Sequence, residues 1–361
     1  MKKSLFVLMV VIITISMIAT LVLAGCDSGA AAETTDEETA EEEEVAIESE
    51  AASGGSAAFG LKNYEPEGGV TFAFTSISTQ VAFWVPVKNA IADFSAQYGV
   101  KAEHLGPADY KPEEEVAVLE NLLEAGVNGV SIFIPEPGIM DEVIQKYIDA
   151  GIPVIIQNTG SVDAERLGLP YVGLENYMVG LDWGDKIIEL LGGADAARGK
   201  EILFCTEAPG QTSLEERMIG AKEKLDPAGV IYETIDVTTD REKAYSNIES
   251  AYTSNPNIVG IFSTDTTGTP AAGLFVKNND LAGEIFVGGF DLTPDTLTGI
   301  KEGYITFTID QYPYRAGHLA MTMLYEKVVL GLEPFSHYIP AGFVDQSNVD
   351  LAITLSQEGY R

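Results

Sequence analysis

Basic residues are scarce in this chain. Only 21 Lys and Arg stand against 55 Asp and Glu among 361 residues, a net charge of −34. Residues 27–60 hold eleven acids and no base, and residues 61–361 carry 44 acids and 19 bases, a net of −25. A body of that sign repels phosphate backbones and anionic lipid surfaces, which argues against a nucleic-acid role. Cysteine is as scarce: Cys26 ends an apolar run, and Cys205 sits inside Glu201-Ile-Leu-Phe-Cys-Thr206, a buried-strand pattern in which it reads as a small core residue. The three histidines, His104, His318 and His337, are scattered without metal-ligand spacing, so no metal is expected. There is no Gly-x-Gly-x-x-Gly, no Walker-type loop and no Ser elbow, and nothing calls for a cofactor. An enzyme would need a nucleophile–base pair, a metal cluster or a phosphate cradle. The acids Asp265 and Asp291 could imitate a glycosidase pair.

What the chain does have begins at its first residues. Lys2-Lys3 is a positive n-region, and Leu5 to Leu23 is apolar apart from a few Thr and Ser. The run ends in Leu23-Ala-Gly-Cys26, which resembles the lipobox of bacterial lipoproteins. The resemblance implies removal of residues 1–25 as a signal peptide and diacylglycerol on the Cys26 thiol. It implies a place on the outer face of the cytoplasmic membrane, periplasm or cell surface. An uncleaved transmembrane helix is the alternative, since about 20 apolar residues can span a bilayer. A lipidated Cys26 leaves no partner for a disulfide to Cys205. The rest of the segment 26–68 is mostly Ala, Glu, Thr, Ser and Gly with the run Glu41–Glu44, too poor in large apolar side chains to offset its chain entropy. It reads as a disordered acidic linker.

From Gly69 onward strand and helix patterns alternate. Strand-like runs at Val70–Thr75, Gly129–Ile134 and Pro153–Ile156 are separated by helical spacing at Trp84–Tyr98, Glu113–Ala125 and Asp141–Ala150. A second series follows, with helices at Tyr177–Leu191, Ser213–Leu225, Arg241–Thr253 and Pro270–Lys277, and strands at Glu201–Cys205, Val230–Thr234, Ile258–Phe262 and Ile285–Gly288. Short apolar strands between helices predict parallel sheets covered on both faces. Two such series, in a chain too long for one ordinary domain, predict an α/β protein of two doubly wound domains, with the ligand site in the cleft beyond the carboxyl ends of the strands. The residues that follow predicted strands are Thr75-Ser76, Pro135-Glu136, Asn158-Thr159, Thr206-Glu207, Asp236, Thr264-Asp265 and Asp291. Each is also a good turn or helix-capping residue, and local sequence does not separate the two roles.

Longer stretches carry a resemblance. Phe83-Trp84-Val-Pro-Val-Lys-Asn-Ala90, Ala150-Gly-Ile-Pro-Val-Ile-Ile-Gln-Asn158, Glu215-Glu-Arg-Met-Ile-Gly220, Ile261-Phe-Ser-Thr-Asp265, Val287-Gly-Gly-Phe-Asp-Leu-Thr-Pro-Asp295 and Thr308-Ile-Asp-Gln-Tyr-Pro313 follow one another in the order and spacing of the ribose- and galactose-type periplasmic sugar-binding proteins. The resemblance covers about residues 69–345 and implies a type I periplasmic binding protein whose lobes are joined by a three-stranded hinge. Its crossovers would lie near Leu174-Glu175, Gln311-Tyr312 and Ala341-Gly342. One lobe would comprise 69–174 plus 312–341, the other 175–311 plus 342–361. Carried over by position, the ligand set is Phe83, Trp84, Asn158, Arg217, Asp265, Asp291 and Gln311, with Thr75 and Thr239 as weaker candidates. Adjacent helix residues point about 100° apart, so only one of Phe83 and Trp84 is expected to lie flat under a ligand.

The resemblance further implies a monomer that captures a sugar or polyol without chemistry, closes its lobes over it, and delivers it to an ABC permease in the membrane that anchors it. A receptor read by a sensor kinase or chemoreceptor is the alternative. Ribose-type binders have Asp-Arg where this chain has Asn158-Thr159, and Asn where it has Asp265. The site exchanges donors for acceptors, which points away from ribose toward a deoxy sugar, a polyol or an autoinducer-2-like furanose. The Phe-Asp-Leu-Thr-Pro and Asp-Gln-Tyr-Pro stretches look more like the rhamnose/autoinducer-2 branch.

Overall fold

The computed structural model describes residues 69–361. The signal peptide, Cys26 and the acidic linker expected from the sequence lie outside the described residues. Among those described, no helix is long and apolar enough to cross a membrane.

The first half of the body runs β1 (Thr71–Thr75), α1 (Trp84–Tyr98), β2 (Lys101–Leu105), α2 (Pro112–Ala125), β3 (Gly129–Ile132), α3 (Asp141–Asp149), β4 (Val154–Gln157), α4 (Ser161–Leu167) and β5 (Tyr171–Leu174). The second runs α5 (Asn176–Leu190), α6 (Ala194–Ala197), β6 (Glu201–Thr206), α7 (Thr212–Ala228), β7 (Ile231–Asp236), α8 (Arg241–Ser254), β8 (Ile258–Ser263), α9 (Gly268–Asn278), β9 (Phe286–Phe290), α10 (Pro294–Glu302) and β10 (Phe307–Asp310). The chain then recrosses with α11 (Pro313–Tyr325) and β11 (His337–Ile339), and crosses again with β12 (Gly342–Asp345) and α12 (Val349–Gln357).

Two six-stranded sheets result, ordered β11-β5-β4-β3-β1-β2 and β12-β10-β9-β8-β6-β7. Every pairing is parallel except β12 against β10. This is the doubly wound α/β architecture, made twice. Each sheet buries both faces. On the first, Phe72, Phe74 and Ile155 meet α1 and α11, while Val130, Ile132 and Ile156 meet Leu119, Ile144 and Tyr147 on the other side. On the second, Leu203, Ile261 and Val287 face one cluster and Ile202, Phe204 and Phe262 the other. Cys205 is free and fully buried, and burial pushes its thiol up.

The sequence pattern left out the buried strands β5 and β10 as well as the exposed edge β2. Lys101–Leu105 is a polar edge strand with no fully buried residue, so it lacks the apolar run that marked its neighbours. The predicted strand at Val230–Thr234 runs two residues further, to Asp236, for the same reason: it is the other edge and mostly exposed. The chain passes between sheets three times, and strand pairing sets the crossings side by side, Leu174 opposite Ile339 in the first sheet and Asp310 opposite Gly342 in the second.

Candidate functional site

Carboxyl ends of both sets of strands open onto one cavity of about 650 Å³. The first sheet and its helices contribute Phe83, Trp84, Tyr110, Phe133 and Asn158; the second contributes Glu207, Arg217, Thr239, Asp265, Asp291 and Gln311. Eight of the nine residues singled out from the sequence therefore line it. Thr75 is the exception: it is fully buried outside this lining, and its hydroxyl donates to Glu115 Oε1 at 2.7 Å under the first sheet.

Local geometry explains how the second half is assembled. Asp291 takes a left-handed φ of 75° directly after β9, which turns its carboxylate back over the strand end. Helices α5 and α7 meet backbone to backbone through glycine. A Cβ on Gly180 would lie 2.4 Å from Arg217 O, and one on Gly220 would lie 2.2 Å from Tyr177 O. That closeness brings Arg217 to Asn176 at the start of α5. Arg217 Nε donates to Asn176 Oδ1 at 2.9 Å, Nη1 to Thr264 O at 2.7 Å and Nη2 to Gln311 Oε1 at 2.6 Å. Its guanidinium lies 4.1 Å over the Phe290 ring. Gln311 Nε2 donates on to Asp291 Oδ1 at 2.6 Å, and Thr266 Oγ1 to Asp291 Oδ2 at 2.5 Å. Arg217, Asp291 and Gln311 thus form one buried chain of charge-assisted bonds. Two guanidinium N–H groups, one amide N–H and part of the Asp291 carboxylate remain for a guest.

Asp265 is placed differently. Its carboxylate accepts from Glu207 N (2.7 Å), Gly268 N (2.7 Å), Thr267 N (3.1 Å) and Thr264 Oγ1 (3.1 Å). Four donors fill about four acceptor sites. Asp265 lines the cavity, but it anchors the entry to α9 and the start of the β6–α7 loop, the capping role that local sequence could not set aside. Burial raises Asp265 and Asp291 above the ordinary carboxylate range, against the pull of these donors and, for Asp291, of Arg217.

The first half is aromatic. Trp84 is 5% exposed, with edge-on neighbours Phe74 (5.9 Å), Phe83 (4.7 Å) and Phe133 (5.9 Å). His104 lies 5.3 Å beneath it, and burial lowers that imidazole to about 3, so the base under the ring is neutral. Phe83 is only half-buried and is the more open ring. Asn158 has a left-handed φ of 62°, and among the described residues its side chain makes no hydrogen bond, whereas its carbonyl accepts from Tyr171 Oη at 2.9 Å. At the cavity lip the two halves touch directly, because Thr212 N and Oγ1 both donate to Pro135 O at 3.0 Å.

Sequence reasoning passed over four lining or supporting residues. Glu207 was visible as a strand-end residue but had no pattern to raise it. Phe133 read as one more strand residue, yet β3 ends at Ile132. Tyr110 lies in a loop without periodicity, and Asn176 gave no signal. Among the described residues no group of three or more His, Cys, Asp and Glu is arranged to hold a metal.

Comparison with known proteins agrees with this architecture. Residues 72–331 match the periplasmic binding protein domain. A xylose/arabinose-binding protein of Sulfolobus acidocaldarius is 26% identical over 297 residues, covering 76% of this chain and 71% of that protein. A solute-binding protein of an ABC transporter from Burkholderia graminis, solved in complex with D-arabinose, shares the fold with TM-score 0.72 at 24% identity, over 80% of this chain and 98% of that one. A carbohydrate transporter chain from Acidothermus cellulolyticus, solved with myo-inositol, does so with TM-score 0.72 at 23% identity, over 81% and 100%. The names of these relatives describe binding and transport. On the match across residues 72–331, the chain belongs to the periplasmic binding protein domain family.

Proposed function

We propose that this protein captures a neutral sugar or polyol in the cleft between its two sheets and delivers it to an ABC importer, without changing it. One observation carries the reading: the cavity sets an aromatic wall, Phe83 and Trp84, against the wired polar wall of Arg217, Asp291 and Gln311. Rings suit the C–H face of a sugar, and fixed donors and acceptors suit its hydroxyls. A site of that kind rejects analogues lacking the hydroxyls, since its buried polar groups would go unpaired. The sugar and polyol names of the relatives support the same class. Asn158-Thr159, in place of Asp-Arg, argues for a ligand other than ribose. Delivery is proposed to work from the outer membrane face, with Cys26 lipidated, residues 27–68 as a leash and a monomeric receptor whose lobes close by hinge motion at the three crossings.

A thermal-shift screen over neutral pentoses, hexoses, polyols and nucleosides tests this, because a ligand stabilises the folded state by RT ln(1 + [L]/Kd). A clear rise in melting temperature with one or a few sugars or polyols is expected. A rise with nucleosides alone overturns the reading.

A further inference from the structure

Glu207 sits immediately after β6, lines the cavity and is half-buried. Its backbone N–H is tied to Asp265 Oδ2 at 2.7 Å, which fixes it beside that carboxylate. Asp291 opens onto the same space. The second sheet and its helices therefore bring four carboxylates, Glu207, Asp265, Asp291 and Asp295, to a cavity with two guanidinium groups. Arg217 is committed to Asn176, Thr264 and Gln311. Arg241, at the rim, pairs with Asp295 at 2.6 Å. Across the cleft the lining adds Asp109 and Tyr110 and no cation.

With both guanidinium groups engaged, Glu207, Asp265 and Asp291 share one space without a free cation in the lining, and the donors are unequally divided. Asp265 has four, and Asp291 has Gln311 and Thr266 with Arg217 behind them. Hydrogen bonds to the charged form hold a carboxylate ionised, and a like charge nearby holds one protonated. Glu207 is the member with the least support. Burial first, then Asp265, drives its carboxyl well above the ordinary range, although Thr267 pulls the other way. Protonated, it is both donor and acceptor.

We propose that Glu207 is a specificity-determining residue of the cleft, contacting the ligand as an uncharged acid that donates a hydrogen bond to an oxygen of a neutral sugar or polyol, so that capture is proton-linked and sugar acids are refused. The inference rests on the sugar-capture reading above. Its chemistry follows directly. Raising the pH ionises Glu207, removes the donor and adds a third charge beside Asp265 and Asp291. Affinity for a neutral ligand then falls by about tenfold per pH unit above the point where the free site gives up its proton. Tyr110 does not confuse this window, since burial and neighbouring acids push its phenol up to about 12.

The test is isothermal calorimetry on the whole protein from neutral to about pH 10, with D-arabinose, D-xylose, myo-inositol and D-glucuronate as probes. Two buffers of different ionisation enthalpy count the proton. Wild type is expected to bind at least one neutral probe, to lose affinity at alkaline pH with proton uptake, and to ignore glucuronate. Glu207→Gln, which keeps a donor but cannot ionise, should lose the pH slope, while Glu207→Ala should weaken binding by about tenfold. A slope that survives in Glu207→Gln, binding of glucuronate as tight as that of the neutral probes, or wild-type binding without proton uptake overturns the inference and leaves sugar capture standing. Binding of none of the neutral probes at any pH, together with no shift in the sugar screen, overturns both.

Discussion

The two walls of the cleft are built on opposite plans. The wall from the second sheet is polar and already wired: Arg217, Gln311 and Asp291 hold one another through contacts made entirely within that half. The wall from the first sheet is apolar, with Trp84 locked among Phe74, Phe133 and His104, and Asn158 as its free polar side chain among the singled-out residues. The difference teaches a division of labour. Directional groups, whose misplacement is expensive, are fixed in advance on one wall, and under the proposed closure the non-directional aromatic surface would tolerate being brought up to it.

Asp291→Ala is expected to abolish binding, a loss on the order of 3 kcal/mol or more, because it unpairs Gln311 and Thr266 and exposes Arg217 to an unmatched ligand. Calorimetry reads the affinity and near-UV circular dichroism the fold; unchanged affinity would show that the wired wall is not the binding wall. The next effect belongs to stability. Glu115, fully buried below the other wall, is pushed by burial from its ordinary 4.5 up to about 8. The folded chain then holds a proton that the unfolded chain releases between those values. Stability from this group is complete below about 4.5 and is lost as pH rises through about 8, by a few kcal/mol at most. Melting curves should show that loss in the wild type and a flatter profile in Glu115→Gln, with ligand affinity unmoved in both at neutral pH.

Arg217→Lys replaces a three-way fork with a point charge and should weaken binding by about 2 kcal/mol. Phe83→Leu should weaken it by about 1 kcal/mol with little change in melting temperature, whereas Trp84→Ala should lower stability itself by about 3–5 kcal/mol, since that ring is core as well as lining. Equal losses of stability in the two variants would erase the distinction drawn between these neighbours. The smallest effect is expected of Thr212→Val, which keeps the backbone bond to Pro135 O and deletes the hydroxyl one. About 0.5–1 kcal/mol should be lost, seen as faster ligand release in stopped-flow measurements.

The alternation of strand and helix was legible because the central strands are buried on both faces and show unbroken apolar runs. The edge β2 and the far end of β7 were obscure for the converse reason. Strand ends pointed to Asn158, Asp265 and Asp291 without any family. Arg217 came only with the resemblance, since in local sequence it sits among Glu and Lys like a solvated residue; the close approach that buries it pairs Gly220 on its own helix with Gly180 on another. Glu207 escaped because what distinguishes it is a crowd of charges from β8 and β9, far away in sequence. Asp265 was legible as a residue of the cleft, but the donors that fill its carboxylate are completed by Glu207 N, 58 residues away, beside the local Thr264, Thr267 and Gly268.

The side-by-side crossings have a mechanical consequence. Leu174 is paired with Ile339 on one side of the junction, and Asp310 with Gly342 on the other. The link between lobes is therefore a three-ply ribbon rather than a string. A ribbon bends easily about the line across its width and resists twist and shear. Under the hinge closure proposed above, that leaves essentially one stiffly guided coordinate, which would bring the polar and aromatic walls together in the same register at every closing.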